Sequence, residues 1–223
     1  MKLTKEQKNE LLEKGYTALP QLNFNLTDYT DEEVGLSTYN EDSIISREFL
    51  SSFNFDDLKL DLARFSEKSL HIKVDKDDTY SITRQLKSYD NMESYRGHFD
   101  SHVFTIVTPV KIPKTNSPES GQLIVFPKIR KNPINELVNF YQKLKYKIFY
   151  GKEKGYRKLM RKAKFVEFDF EDKNSLIFLG RQCFHGNRSF AKAPDGERIT
   201  ILTHFFDPNK RGIGAVLRKI RNR

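Results

Sequence analysis

The sequence predicts a mainly β fold with flanking helices: a barrel or sandwich of short strands interrupted by a helical insertion. Three observations predict it. From about residue 79, runs at 79–88, 102–110, 121–127, 164–170, 175–180 and 197–206 are rich in Val, Ile, Thr and Phe. They alternate with period 2 and are separated by turn formers, the pattern of half-buried strands. Short strands at that spacing close into a barrel or sandwich. Between 132 and 163 the period changes to that of a helix, and hydrophobic residues make up 37% of the 223, aromatics 13%, enough for a sizeable core. That length suits one decorated all-β domain.

The elements follow in order. Thr4-Lys5-Glu6-Gln7 reads as a capping box, Leu11 and Leu12 supply an apolar stripe and Gly15 a stop, so residues 5–14 should be helical. A strand over 16–22 follows. Residues 23–70 are mixed and acidic, with short helices expected near 43–53 and 55–66; residues 1–78 form a helical and mixed support. The β core covers 79–206. In its insertion, Asn132-Pro133 is a good helix start; Ile134, Leu137, Val138, Tyr141, Leu144 and Ile148 share a face as far as Gly151. A second helix has Tyr156, Leu159, Met160 and Ala163 on its apolar side. In the tail, 207–223, Ile213, Val216, Leu217 and Ile220 share a face among basic residues; such a helix can pack on the barrel or lie on an anionic membrane surface.

Composition excludes several classes. The single Cys183 rules out an internal disulfide, and no run approaches the roughly 20 apolar residues of a membrane-spanning helix. Residues 1–15 are polar and charged, without an apolar signal core, so a cytoplasmic protein is expected, in contact with a membrane at most at its surface. The net charge of +9 is segregated. Residues 1–61 hold 6 Lys/Arg against 13 Asp/Glu, residues 128–164 hold 13 against 2, and 208–223 hold 6 with no acid. Such a basic stretch points to an anionic partner, or is simply a solvated face.

The chemistry gathers around three residues. In Tyr95-Arg96-Gly97-His98-Phe99-Asp100, an imidazole and a carboxylate two residues apart share a face of an extended chain. His185 follows the apolar strand 175–180. Two His and one carboxylate form the facial triad of non-haem iron(II) oxygenases, with coordination positions left open. An H-x-D pair alone reads equally well as a surface turn. Thirteen residues after His185, Arg198 opens a strand with Thr200 two residues on; an Arg fork binds a carboxylate bidentately and Thr200 could add a hydrogen bond.

With these residues the chain resembles the iron(II), 2-oxoglutarate-dependent dioxygenase superfamily, whose pattern is H-x-D, a distant H, then R, often as R-x-S/T. The surroundings agree: Leu86-Lys87-Ser88-Tyr89 before the pair, Gly121-Gln122-Leu123-Ile124-Val125-Phe126-Pro127 between, and Leu176-Ile177-Phe178-Leu179 leading to His185. The resemblance covers roughly 79–206; residues 13–20 look like the start of the phytanoyl-CoA hydroxylase-like branch. It implies a double-stranded β-helix, a jelly roll with the metal between two small sheets. It also implies iron(II) on His98, Asp100 and His185, with Arg198, Thr200 and Tyr89 serving the co-substrate 2-oxoglutarate, and O2 as oxidant. The implied activity is oxidation, most commonly hydroxylation; Asp100, standing where a halogenase has Ala or Gly, argues against halogenation.

Other polar residues have their own readings. His102 shares parity with His98 and Asp100 and is the rival ligand, unless the loop after the pair resets parity. His204 reads as a hydrogen-bonded core or rim histidine, His71 as structural, Cys183 as a small buried residue, and Arg84 as a possible co-substrate or substrate contact. The expected substrate is an anionic small molecule, sugar conjugate or lipid-linked molecule admitted by the insertion as part of a lid. A non-catalytic barrel binding an acidic glycan, lipid or nucleic acid through the same basic surface is the alternative; nucleic acid as a substrate ranks below small molecules.

Overall fold

The computed structural model describes residues 1–22, 48–49, 51–53, 55–87, 94–112, 120–189 and 197–208. Helix α1 (Lys5–Glu13) starts at the expected capping box: the Gln7 amide donates to the Thr4 hydroxyl at 3.1 Å and the Thr4 amide to the Gln7 side chain at 2.9 Å. Gly15, at φ 84°, turns the chain out of the helix into β1 (Tyr16–Leu19), a backbone region that favours glycine. The strand is shorter than the expected 16–22 because Pro20 follows and has no N–H to extend the ladder. Helix α2 (Asp56–Ser69) matches the expected 55–66 with one further turn. Of the helix expected near 43–53, residues 48–49 and 51–52 are helical, residue 53 is a bend, and residues 43–47 and 50 lie outside the described residues.

The strands are β2 (Thr79–Lys87), β3 (Phe104–Lys111), β4 (Leu123–Phe126), β5 (Val166–Phe168), β6 (Ser175–Leu179), β7 (Phe184–Asn187) and β8 (Glu197–Phe205). All the expected runs are present. β7, which carries His185, was not expected as a strand. It forms through long-range pairing that its own residues do not advertise, Phe126 opposite Phe184 and Leu123 opposite Asn187. Two antiparallel sheets result, a larger one in the order β1-β6-β3-β8-β2 and a smaller one in the order β5-β4-β7. Residues 94–98 run beside β7, with bridges at Ser94–Asn187 and His98–His185.

Alternation along each strand sorts the side chains. On the larger sheet Phe104 and Phe205, paired across β3 and β8, turn outward, where Phe65 and Phe55 of the α2 region meet them at ring separations of 6.1 and 6.3 Å. On the smaller sheet Phe126 and Phe184 turn outward against Tyr156, at 5.4 and 5.7 Å. The other faces of both sheets look at each other and enclose the site.

The insertion is two helices, α3 (Glu136–Tyr150) and α4 (Glu153–Met160). The start of α3 falls three residues later than Asn132-Pro133 suggests, because Asn135 is the residue whose side chain caps it, accepting from the Val138 amide at 2.9 Å. Tyr156 and Leu159 of α4 are buried as expected. The apolar face of α3 is not: Leu137, Tyr141, Leu144 and Ile148 are exposed. The expected tail helix lies outside the described residues. Among the described residues, no helix is long and apolar enough to cross a membrane.

Candidate metal and co-substrate site

His98 and His185 face each other across two adjacent chain segments. Their backbones exchange both hydrogen bonds, His98 N to His185 O at 2.9 Å and His185 N to His98 O at 3.0 Å, which sets the rings 4.4 Å apart. Asp100 follows on the same side, held by its amide donating to the Gly180 carbonyl at 3.0 Å. A Cβ on residue 180 would sit 2.8 Å from the Asp100 Cβ and 2.9 Å from the His102 carbonyl, so only glycine lets the two segments approach this closely. The potential ligand atoms of His98, Asp100 and His185 all lie within 4.8 Å of one another.

Hydrogen bonds fix where the ring protons of the two histidines lie. Nδ1 of His98 is 3.0 Å from the Arg96 carbonyl and Nδ1 of His185 is 3.1 Å from the Cys183 carbonyl. A carbonyl only accepts, so both Nδ1 atoms carry the proton. Burial pushes both imidazoles down in pKa, helped at His98 by the neighbouring His185, so both are neutral near pH 7. Each Nε2 therefore presents a lone pair, and these point at the two Asp100 oxygens at 3.6 and 3.7 Å. Acceptors converging on acceptors repel unless a cation sits between them. Burial alone would raise the Asp100 carboxyl, but the positive charge of His185, His204 and His98 when protonated, together with the Thr105 hydroxyl, holds it well below the usual carboxylate range. Two neutral imidazoles and an ionised carboxylate are the donor set of a 2-His-1-carboxylate metal centre. Each imidazole is oriented by the carbonyl at its other nitrogen.

Behind Asp100 lies a relay absent from the sequence-level expectation. The Thr105 hydroxyl donates to Asp100 Oδ2 at 2.5 Å and lies 3.1 Å from His204 Nδ1. With its single proton given to Asp100, Thr105 accepts from His204. His204, expected as a core or rim histidine, is indeed hydrogen-bonded, yet it also lies 4.0 Å from Asp100 and lines the cavity. His102 is not part of the cluster. Residues 101–103 form a bend that resets the parity, and its ring turns onto Tyr80 and His204 at 5.1 and 4.7 Å.

The same cavity is lined by Arg84, Asn187, Arg198 and Thr200. Arg198 is 2% exposed, and its Nε and Nη1 have no hydrogen-bond partner among the described residues. Burial, with Arg84 nearby, pushes its guanidinium down to about 9. A desolvated cation with free donors is costly unless an anion completes it. Thr200 is paired opposite Arg84 in β2, so the two flank the cavity together. Arg84 Nη1 donates to the Asn187 side chain at 2.8 Å, and Asn187 donates to the Gly121 carbonyl at 2.9 Å. Asn187 is two residues after His185 on β7, on the same face of a strand that only its long-range pairing with β4 reveals. Tyr89 lies outside the described residues.

No family model and no curated protein matches the chain. Among solved structures it is similar to a prolyl 4-hydroxylase from Phytophthora capsici, at 9% identity and a TM-score of 0.51 over 95% of this chain and 65% of that one. It is also similar to a prolyl hydroxylase from Trichoplax adhaerens, solved with a hypoxia inducible factor peptide, at 12% identity and a TM-score of 0.50, covering 92% and 89%. The chain spans just under two thirds of the first. The fold is a double-stranded β-helix.

Within the β-helix, Arg198, Thr200, Leu202 and His204 are the inward residues of a single strand, β8. Cys183 is fully buried, its thiol donating to the Gly15 carbonyl at 3.5 Å, and burial pushes it up to about 12; that makes it inert as a nucleophile. His71 is exposed and takes no part. At the mouth, where the His98 side chain keeps 43% exposure, the insertion reaches in through Lys143, whose ammonium donates to Ser101 Oγ at 2.9 Å. Behind it Arg130 donates to the Arg181 carbonyl at 2.6 Å and to Asn139 at 2.8 Å. Burial pushes Lys143 down to about 8 against the pull of Asp100.

Proposed function

We propose that this chain is an iron(II)- and 2-oxoglutarate-dependent oxygenase acting as a hydroxylase. His98, Asp100 and His185 would hold the metal; Arg198 and Thr200, with Tyr89 from the sequence pattern, would hold the co-substrate. The carrying observation is Arg198, a buried guanidinium with two free donors in the same cavity as the His-Asp-His cluster. A metal site alone would not call for it; a dicarboxylate that also reaches the metal would. When bound, iron(II) with 2-oxoglutarate and O2 supplies the oxidising chemistry, and 2-oxoglutarate leaves as succinate and carbon dioxide.

This chain's residues do the positioning. The fork of Arg198 fixes the far carboxylate, which sets where the rest of the molecule lies. Thr105 and His204 hold Asp100 ionised and in one orientation. Val107, Leu123, Phe178 and Leu202 give the cavity its apolar walls.

The substrate we infer is an anionic small molecule, sugar conjugate or lipid-linked molecule. Lys143 stands beside Ser101 at the mouth, on an insertion whose residues 132–163 hold 9 Lys/Arg against 2 Asp/Glu. Residues 13–20 further suggest the phytanoyl-CoA hydroxylase-like branch. The test is an anaerobic titration. Iron(II) followed by 2-oxoglutarate should produce the charge-transfer absorption of a chelate in the wild type, and none in His98→Ala, Asp100→Ala or His185→Ala. Metal affinity unchanged in all three variants would overturn the metal assignment. Anionic candidates should then stimulate succinate release more than their neutral analogues.

A further inference from the structure

Helix α3 is amphipathic with its faces reversed. Its inward side is polar and aromatic. Asn139 accepts from Arg130, Lys143 reaches Ser101, and the Tyr146 ring packs on Phe99 and Phe184 at 5.0 and 5.3 Å. On the opposite side Leu137, Tyr141, Leu144 and Ile148 recur at helical spacing, with Ile134 ahead of the cap and Phe149 at the end. Their exposure runs from 43% at Leu144 to 88% at Ile134. A continuous apolar stripe in water marks a surface that is covered in use.

Charge identifies the cover. Lys145 and Lys147 are exposed on either flank of the stripe, and Lys152, Lys154 and Lys158 continue the exposed cations into α4. An apolar stripe between rows of lysine matches an anionic lipid bilayer, where acyl chains take the stripe and headgroups meet the ammoniums. Packing against the same face of a second copy would set the exposed Lys145, Lys147, Lys152, Lys154 and Lys158 of one copy against those of the other. We infer that the outward face of α3 docks the protein on an anionic membrane surface. Because Lys143 projects from the inward face of that helix to the mouth, docking would bring the mouth close to the headgroup layer.

The full-length chain should sediment with vesicles of phosphatidylcholine containing phosphatidylglycerol, much less with phosphatidylcholine alone, and should be released as salt is raised. Leu144→Glu with Ile148→Glu changes only exposed positions and should leave the thermal midpoint in place while lowering partitioning by roughly tenfold or more. Lys145→Glu with Lys147→Glu should lower it by a similar factor on anionic vesicles only. Absence of vesicle binding, equal binding by the leucine and isoleucine variant, or a wild-type dimer that this variant converts to monomer would each overturn the inference. None of these measurements requires iron or 2-oxoglutarate, so their failure would leave the oxygenase reading standing.

Discussion

Replacing Arg198 by Met should separate binding from stability with opposite signs. The side chains are similar in length, so packing is nearly kept, while a cation that burial has pushed down to about 9 and two unpartnered donors disappear. Each buried unsatisfied donor costs about 1–3 kcal/mol, so the metal-free, co-substrate-free variant should be as stable as the wild type or more so. Co-substrate affinity should move the other way. A bidentate guanidinium–carboxylate pair offers two charge-assisted bonds of about 1.5–3 kcal/mol each. Desolvating the carboxylate offsets part of this, leaving about 2–4 kcal/mol, or roughly 30- to 700-fold in Kd. Thermal unfolding of the apoprotein and a 2-oxoglutarate titration of the anaerobic iron(II) protein read the two effects. An unchanged Kd for 2-oxoglutarate would refute the argument, as would a large loss of apoprotein stability, which would mean that Arg198 serves the fold.

Thr105→Val keeps the shape but removes the proton given to Asp100 Oδ2 and the acceptor for His204; iron affinity should fall by about 10- to 100-fold, measured by competition with a chelator. His185 and His204 are buried with lowered pKa values, so below about 6.5 the unfolded chain binds more protons than the folded one. The thermal midpoint of the metal-free protein should therefore fall as pH drops from 7 to 5, and His185→Gln should flatten that slope. Lys143→Met should raise KM for an anionic substrate by about tenfold while leaving the Kd of 2-oxoglutarate in place; a steady-state comparison checks it, and an equal effect on neutral analogues would show that Lys143 serves packing.

Legibility in the sequence followed the range of the physics. The capping box of α1, strands β2 and β8, and the pairing of Arg198 with Thr200 are local patterns of period and spacing, and they appear where expected. Strand β7 is four residues long with Gly186 and Asn187 in it; only its partners in β4 and residues 94–98 make it a strand. Thr105 was hidden because the bend at 101–103 resets parity between Asp100 and β3. The stripe on α3 was legible, its direction was not. Periodicity finds an apolar face and assumes that it turns inward, whereas here the inward anchors are Asn139, Lys143 and Tyr146, whose partners Arg130, Ser101 and Phe99 are scattered along the chain.

The two ends of the proposed site also differ in how β8 holds them: the His204 end is laddered on both sides, against β2 and β3, the Arg198 end against β2 alone. Thr200 through Phe205 of β8 are registered against β3, from Pro109 opposite Thr200 to Phe104 opposite Phe205. Beyond Pro109 that ladder shifts at a bulge, and Pro109 itself lies past Val107, the last β3 residue that β6 pairs, where a missing N–H is tolerated. Arg198 takes its register from β2, opposite Leu86. The relay through His204 is thus tied to both β3 and β2, and the carboxylate clamp to the terminal strand of the sheet alone. Because a one-residue slip reverses every side chain of a strand, the clamp depends on the β2–β8 ladder holding its register, and an anion bridging Arg198 and the metal would tie that end of β8 to the segments that carry His98, Asp100 and His185.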